Sequence, residues 1–174
     1  MLSYLFSTEE RIRILNEVLF RRESTVNQIS LSANVNKGLV SIYIRKLVDF
    51  NILKKKGRII SPVESSFTKQ IKVLLNMEKI RNLETYGING MGLFGSWADG
   101  TNFQDSDIDM WLKLEKEQPV LIGTLIQKIS RATGKEPDLL VLTEERWNNI
   151  KENDKPFFDK IINNNITVFG EDLE

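Results

Sequence analysis

Apolar residues first recur at helical spacing in Ile12, Leu15, Val18 and Leu19, which predicts an amphipathic helix running to about Arg22. Ser7 stands at its N-cap position and Glu10 at the reciprocal capping-box position. A second start at Ser24 or Thr25, followed by Val26, Ile29 and Leu31, predicts a short helix to about Ala33. The next five residues, Asn34 to Gly38, read as a turn. A third helix from Lys37 to Phe50 keeps Val40, Ile44, Leu47 and Val48 on one face and puts Gly38, Ser41, Ile42, Arg45 and Lys46 on the other. Two short β-prone runs, Ile52-Leu53 and Ile59-Ile60, flank Lys54-Lys55-Lys56-Gly57-Arg58 and predict a hairpin with a basic tip. Beyond Ser61-Pro62, the spacing of Phe67, Ile71, Leu74, Leu75, Ile80 and Leu83 predicts a long connecting helix within 64–86, with a kink near Asn76.

The remaining chain changes character. Met91-Gly92-Leu93-Phe94 predicts a short strand that runs into the turn-rich Gly95-Ser96-Trp97-Ala98-Asp99-Gly100. A second strand follows from Ser106 to Leu114, then a helix from Pro119 to about Thr133 with Leu121, Ile122, Leu125, Ile126 and Ile129 inward. Pro137 to Leu142 predicts a third strand. Thr143 opens another helix, Pro156 to Ile162 a further one, and Ile166 to Phe169 a terminal strand. This order predicts a small mixed α/β domain over 64–174 behind a mostly helical domain over 1–63, an α+β chain overall.

Charge sharpens that division. The chain has 24 Lys+Arg and 24 Asp+Glu, a formal net charge of zero. Residues 1–63 carry 11 basic against 5 acidic side chains, a net of +6, and residues 64–174 carry 13 against 19, a net of −6. A basic first part is suited to a polyanion and an acidic second part to metal ions. The chain has no Cys and no His. Disulfides, thiolate nucleophiles, Cys or His zinc sites and a Ser-His-Asp triad are thereby excluded, and any metal must sit on oxygen ligands. No apolar run reaches the roughly 18 residues of a membrane span. The start Met1-Leu2-Ser3-Tyr4-Leu5-Phe6 lacks a basic n-region and a long apolar stretch. The expectation is a cytoplasmic protein with no membrane partner.

Three helices followed by a basic hairpin resemble the winged helix-turn-helix family, over about Thr8 to Pro62. The resemblance implies that the third helix enters a nucleic-acid groove, with Lys37, Ser41, Arg45 and Lys46 near base edges and phosphates. Lys54, Lys55, Lys56 and Arg58 would act as a wing on the backbone of DNA, or of RNA. The competing reading of the same residues is a solvated basic turn on a domain that serves dimerisation or packing.

Side chains alternate along a strand, so Asp107 and Asp109 are expected on one side and Ile108 and Met110 on the other. Two carboxylates so close repel each other unless a cation lies between them. Ten residues separate Ser96 from Asp107. A Gly-Ser turn after a strand exposes backbone N–H groups that suit phosphate, and Ser96 adds a hydroxyl. Asp138 opens the next apolar strand; if that strand lies beside the Asp107–Asp109 strand, three carboxylates converge. Trp97 and Trp111 read as core or edge packing ahead of any stacking on a base.

Gly95-Ser96-Trp97-Ala98-Asp99-Gly100-Thr101 with Ser106-Asp107-Ile108-Asp109 and the later Asp138 resembles the small, minimal members of the nucleotidyltransferase superfamily that includes DNA polymerase beta. The resemblance covers about Gly90 to Leu142. It implies that Asp107, Asp109 and Asp138 are catalytic and hold Mg²⁺ or Mn²⁺, with Asp138 also able to accept a proton. Gly95 and Ser96 would hold the phosphates of a nucleoside triphosphate, with ATP the first candidate. The activity implied is transfer of a nucleoside monophosphate to an acceptor, which includes a partner protein among its candidates. One departure stands out: the family usually has Arg where this chain has Asp99, which is expected to weaken nucleotide affinity. The alternative is a DNA-binding regulator or antitoxin-like protein whose second domain senses nucleotide or binds a partner without catalysis.

Overall fold

A computed structural model describes residues 1–83 and 86–173. It divides into two compact units, Met1–Lys72 and Val73–Glu174, so the division falls inside a helix that crosses it.

The first unit begins with a short helix α1 (Leu2–Leu5), followed by α2 (Glu9–Leu19), α3 (Val26–Ala33) and α4 (Lys37–Asp49). The α2 N-cap is Thr8, whose hydroxyl accepts the Arg11 N–H, and the helix ends at Leu19. The Ser7 cap and the run to Arg22 expected from sequence are thereby corrected. Ser7 instead accepts a bond from the Arg11 guanidinium at 2.7 Å. Thr25 and Gln28 close a capping box at the start of α3. Val40, Tyr43, Ile44 and Leu47 are the buried face of α4, while Ser41, Ile42, Arg45 and Lys46 are exposed. Strands β1 (Leu53–Lys56) and β2 (Ile59–Pro62) form an antiparallel hairpin. Gly57 takes a φ of 60° in its turn, a conformation that costs glycine little. Ser24 pairs with Ile60 through two backbone bonds of 2.8 Å, tying the segment between α2 and α3 to the hairpin.

Helix α5 (Ser66–Ile80) leads into the second unit and is continuous through Asn76, where the sequence suggested a kink. The second unit contains β3 (Gly90–Phe94), a short helix α6 (Ser96–Asp99), β4 (Ile108–Lys113), α7 (Pro119–Thr133), β5 (Pro137–Leu142), α8 (Glu144–Asn153), α9 (Lys155–Asn163) and β6 (Asn165–Gly170). The strand order is β5-β4-β3-β6. β4 and β5 are parallel and joined through α7, whereas β3 runs antiparallel to both β4 and β6.

Alternation along the strands sorts the core into two layers. Met91, Leu93, Ile108, Met110 and Leu112 pack with Ile80, Trp97, Leu125 and Ile129. Phe94, Trp111, Leu142 and Ile161 form the opposite layer, with Trp147 and Phe157 of α8 and α9 packed against it. The Trp111 indole lies directly over Gly92; a Cβ there would stand 2.5 Å from the ring, so the strand pairing needs glycine. Trp97 and Trp111 are both buried, which makes them core residues.

Asn76 is fully buried. Its side-chain amide donates to the Trp97 carbonyl at 2.9 Å and to Asn102 Oδ1 at 3.1 Å, and Asn102 returns a bond at 3.2 Å. Helix α5 is thus bonded to α6 and to the loop that follows it. Replacing Asn76 with Ala leaves two buried acceptors and a buried amide without partners, a cost of about 2–4 kcal/mol. The expected result is a lower urea midpoint for Asn76→Ala with an unchanged denaturant slope.

Candidate active site

The end of β3 and the starts of β4 and β5 meet at one edge of the sheet. Because β3 runs against β4, with Leu93 opposite Met110, the turn that leaves β3 at Gly95 arrives beside Asp109. In the parallel pair, Asp109 is the register partner of Asp138, so the two carboxylates leave the sheet on the same face. Asp107 lies just before β4 and is exposed, as is Asp138, while Asp109 is half-buried. The sequence motif is thus met by a strand that begins one residue later than Asp107.

Gly95 has φ 63° and ψ −144°, a conformation that a side chain strongly disfavours. Space imposes the same requirement: a Cβ at this position would stand 2.6 Å from Asp109 Oδ2. The Gly95 carbonyl accepts from the Ala98 and Asp99 N–H groups, starting α6. The Ser96 and Trp97 amides are the first-turn donors that such a start leaves without intrahelical acceptors. Asn164, the C-cap of α9, fixes the turn from the other side. Its carbonyl accepts the Gly95 N–H at 3.3 Å, and its amide donates to the Gly95 carbonyl at 3.4 Å. Asp99 is turned back on its own loop, accepting the Thr101 N–H at 2.8 Å and hydroxyl at 2.6 Å. That bonding gives Asp99 a local role in closing the turn.

Burial raises the Asp109 carboxyl above its ordinary value, and the charges of Asp138 and Asp107 add to the effect, while Lys160 pulls it part-way back. The three predicted carboxylates therefore share one electrostatic neighbourhood. Lys135 braces the approach to β4 through a bond from its ammonium to the Ser106 carbonyl at 2.5 Å. Among the described residues no three His, Cys, Asp or Glu side chains stand close enough to form a ready-made metal cage. The donors nevertheless fit a hard divalent cation in kind. Such a cation commonly uses one or two carboxylates and completes its shell with water and substrate phosphate oxygens.

A turn that presents backbone donors beside coupled strand-start carboxylates has a counterpart among known families. The model of the family described as polymerase beta, nucleotidyltransferase, matches residues 69–174. The chain belongs to this family. A comparison with curated proteins and one with solved structures each returned no match.

Around these carboxylates, Asn164, bonded to Gly95, and Lys160, whose charge acts on Asp109, are residues that sequence reading missed. Lys160 lies on α9, far along the chain from the acids, and no local pattern links the two. Asn164 sits in an Asn run that read only as a loop or helix end. Asn76 could have been suspected as a polar residue among the apolar positions of a helix.

The residues expected to meet nucleic acid fall into two groups. Lys37, Ser41, Lys55 and Arg58 line one pocket of about 450 Å³, together with Thr25 and Asn27 from the start of α3. Arg45, Lys46, Lys54 and Lys56 are exposed and do not line it. Lys46 pairs with Asp49 at 3.5 Å.

The raised Asp109 carboxyl makes a stability prediction. Its ionised form weakens the fold. The favourable contribution is therefore complete below the ordinary value of 3.8 and is lost as pH rises through the raised value. Asp109→Asn keeps the shape and removes the charge. Its melting temperature should exceed that of the metal-free wild type by a few degrees at pH 7, and the difference should close as the pH approaches 3.8.

Proposed function

We propose that the protein is a divalent-metal-dependent nucleotidyltransferase that moves a nucleoside monophosphate from a nucleoside triphosphate, ATP first among them, to a hydroxyl or amine acceptor. The observation that carries this reading is the in-register pair Asp109 and Asp138 with Gly95 against Asp109, in a chain of the polymerase beta nucleotidyltransferase family. The acceptor attacks the α-phosphorus in line, the bond to the β-phosphate breaks, and pyrophosphate leaves.

Asp107, Asp109 and Asp138 would hold Mg²⁺ or Mn²⁺, which supplies Lewis-acid stabilisation of charge at phosphorus and a more acidic nucleophile. The Ser96 and Trp97 amides and the Ser96 hydroxyl receive the terminal phosphate oxygens. Asp138, exposed at the start of β5, is the residue open to an acceptor and takes its proton. Asp99, bonded to Thr101, keeps its negative charge in this turn, where it lowers nucleotide affinity and leaves the three carboxylates intact.

Incubation with each α-labelled nucleoside triphosphate, Mg²⁺ and cell extract should give label transfer. Asp107→Ala and Asp109→Ala should each lower it by at least about 1,000-fold, the scale expected when charge stabilisation at the reacting centre is removed. Transfer that survives both substitutions would overturn the assignment. Nucleotide binding without transfer would favour the alternative, a regulator or antitoxin-like protein that senses nucleotide.

For the first unit we propose a winged helix-turn-helix domain that binds DNA. Support comes from the three helices, the basic hairpin, the Ser24–Ile60 pairing and the pocket that joins Lys37, Lys55 and Arg58. In the full chain, the double substitution Lys55→Ala with Arg58→Ala should weaken duplex DNA binding. It should also reduce the slope of log affinity against log salt by about 2, the change for two lost phosphate contacts. An unchanged slope would remove the hairpin from the interface.

A further inference from the structure

Asp107 is held differently from the other two acids. Asp109 and Asp138 sit inside the β4–β5 ladder, where backbone pairing fixes the direction of each side chain. Asp107 lies just outside it, since the first register pair is Ile108 with Pro137. Proline has no N–H, so β5 offers β4 no backbone donor at that position. The direction in which Asp107 leaves the chain therefore depends on how the residue before it is held.

That residue, Ser106, is fixed by three bonds. Its N–H donates to the Phe103 carbonyl at 3.0 Å, and its hydroxyl accepts the Phe103 N–H at 2.9 Å, so the turn from Phe103 to Ser106 is closed on itself. The third bond comes from outside the turn. The Lys135 ammonium donates to the Ser106 carbonyl at 2.5 Å, from 29 residues further along the chain. That carbonyl belongs to the planar peptide group joining Ser106 to Asp107, so the bond orients the backbone from which the Asp107 side chain departs. Lys135 is itself seated. It is half-buried, and Thr133 at the end of α7 brackets its backbone, accepting its N–H at 3.2 Å and donating to its carbonyl at 3.1 Å. The side chain thus ties the segment that leads into Asp138 to the segment that leads into Asp107.

On the nucleotidyltransferase reading above, we infer that Lys135 is a positioning residue for the metal site: by holding the Ser106 carbonyl it fixes Asp107 at the edge where Asp109 and Asp138 stand, so that the carboxylates can hold a divalent cation together. It acts through the peptide group and touches neither metal nor nucleotide. Its charge works in the opposite sense. A positive side chain near a cation site repels the cation, so loss of the charge alone strengthens metal binding, whereas loss of the brace weakens it. The sign of the change separates the two roles.

The test is equilibrium titration of the full chain with Mn²⁺, followed by water-proton relaxation, with and without α,β-methylene-ATP. The proteins are wild type, Lys135→Met, Lys135→Gln, Lys135→Arg and, as a charge-loss control past the far end of β4, Lys116→Met. Lys135→Met keeps the apolar stem and removes the donor. It should weaken Mn²⁺ binding by about 10- to 100-fold, the usual consequence of losing a group that orients a metal-ligating side chain. Its urea midpoint should stay close to that of wild type, which separates the loss from unfolding. Lys135→Gln should weaken binding in the same direction and takes the place of Lys135→Met should that variant not fold. Lys135→Arg keeps donor and charge and should recover most of the affinity, and Lys116→Met should match wild type. Mn²⁺ binding by the Met and Gln variants that equals or exceeds that of wild type overturns this inference and leaves the metal site standing, as does a loss of the same size in Lys116→Met. A wild type that takes up no Mn²⁺ in either condition overturns the proposed function and this inference together.

Discussion

Like charges held at the starts of two neighbouring strands are the constraint around which the second unit is organised. Asp109 and Asp138 are register partners in the parallel β4–β5 pair, and Asp107 adds a third negative charge at the same edge. Repulsion of this kind opposes folding, so other parts of the unit must hold the arrangement in place. Apolar alternation does most of it. Ile108, Met110 and Leu112 are locked into one layer and Trp111 into the other, so β4 cannot slip by one residue without turning Asp109 into the layer that Ile108 and Met110 fill.

The Gly95 turn is fixed from three directions by polar contacts. Asn76 holds the Trp97 carbonyl and Asn102, Asn164 holds both backbone groups of Gly95, and Asp99 closes the loop at Thr101. A buried amide pair such as Asn76 and Asn102 adds little net stability when satisfied and costs a great deal when broken. Its effect is to define one geometry for the turn, which matters where a Cβ would already collide with a carboxylate. Asp99 belongs to the same turn: its oxygen accepts an N–H and a hydroxyl two residues ahead, which fixes where its negative charge stands.

Much was legible from the chain alone because it depends on short-range geometry. The helical spacing of Val40, Ile44 and Leu47 and the hairpin around Gly57 need only local backbone periodicity and turn chemistry. The Gly95-Ser96 and Asp107-Ile108-Asp109 motif was readable for the same reason, as was the apolar run from Leu139 to Leu142 behind Asp138. Even so, local competition decided details: Thr8 rather than Ser7 caps α2, and α5 continues through Asn76 because its amide finds partners inside the unit.

Residues far apart in the chain became neighbours only through tertiary structure. That Asp138 stands opposite Asp109 follows from a parallel register, which the packing of α7 and of two apolar layers decides and no spacing in the sequence encodes. Asn164 reaches the site because α9 packs through Ile161 against Trp111 and ends at Gly95, and the charge of Lys160 on the same helix acts on Asp109. The pocket shared by Lys37, Lys55 and Arg58 likewise exists only where α3, α4 and the hairpin come together. The sequence by itself determined which chemical groups were present and which face of each element they occupied. Which groups act on one another depended on packing, because electrostatic and hydrogen-bond energies are set by distance in space, and that distance is fixed only when the core closes.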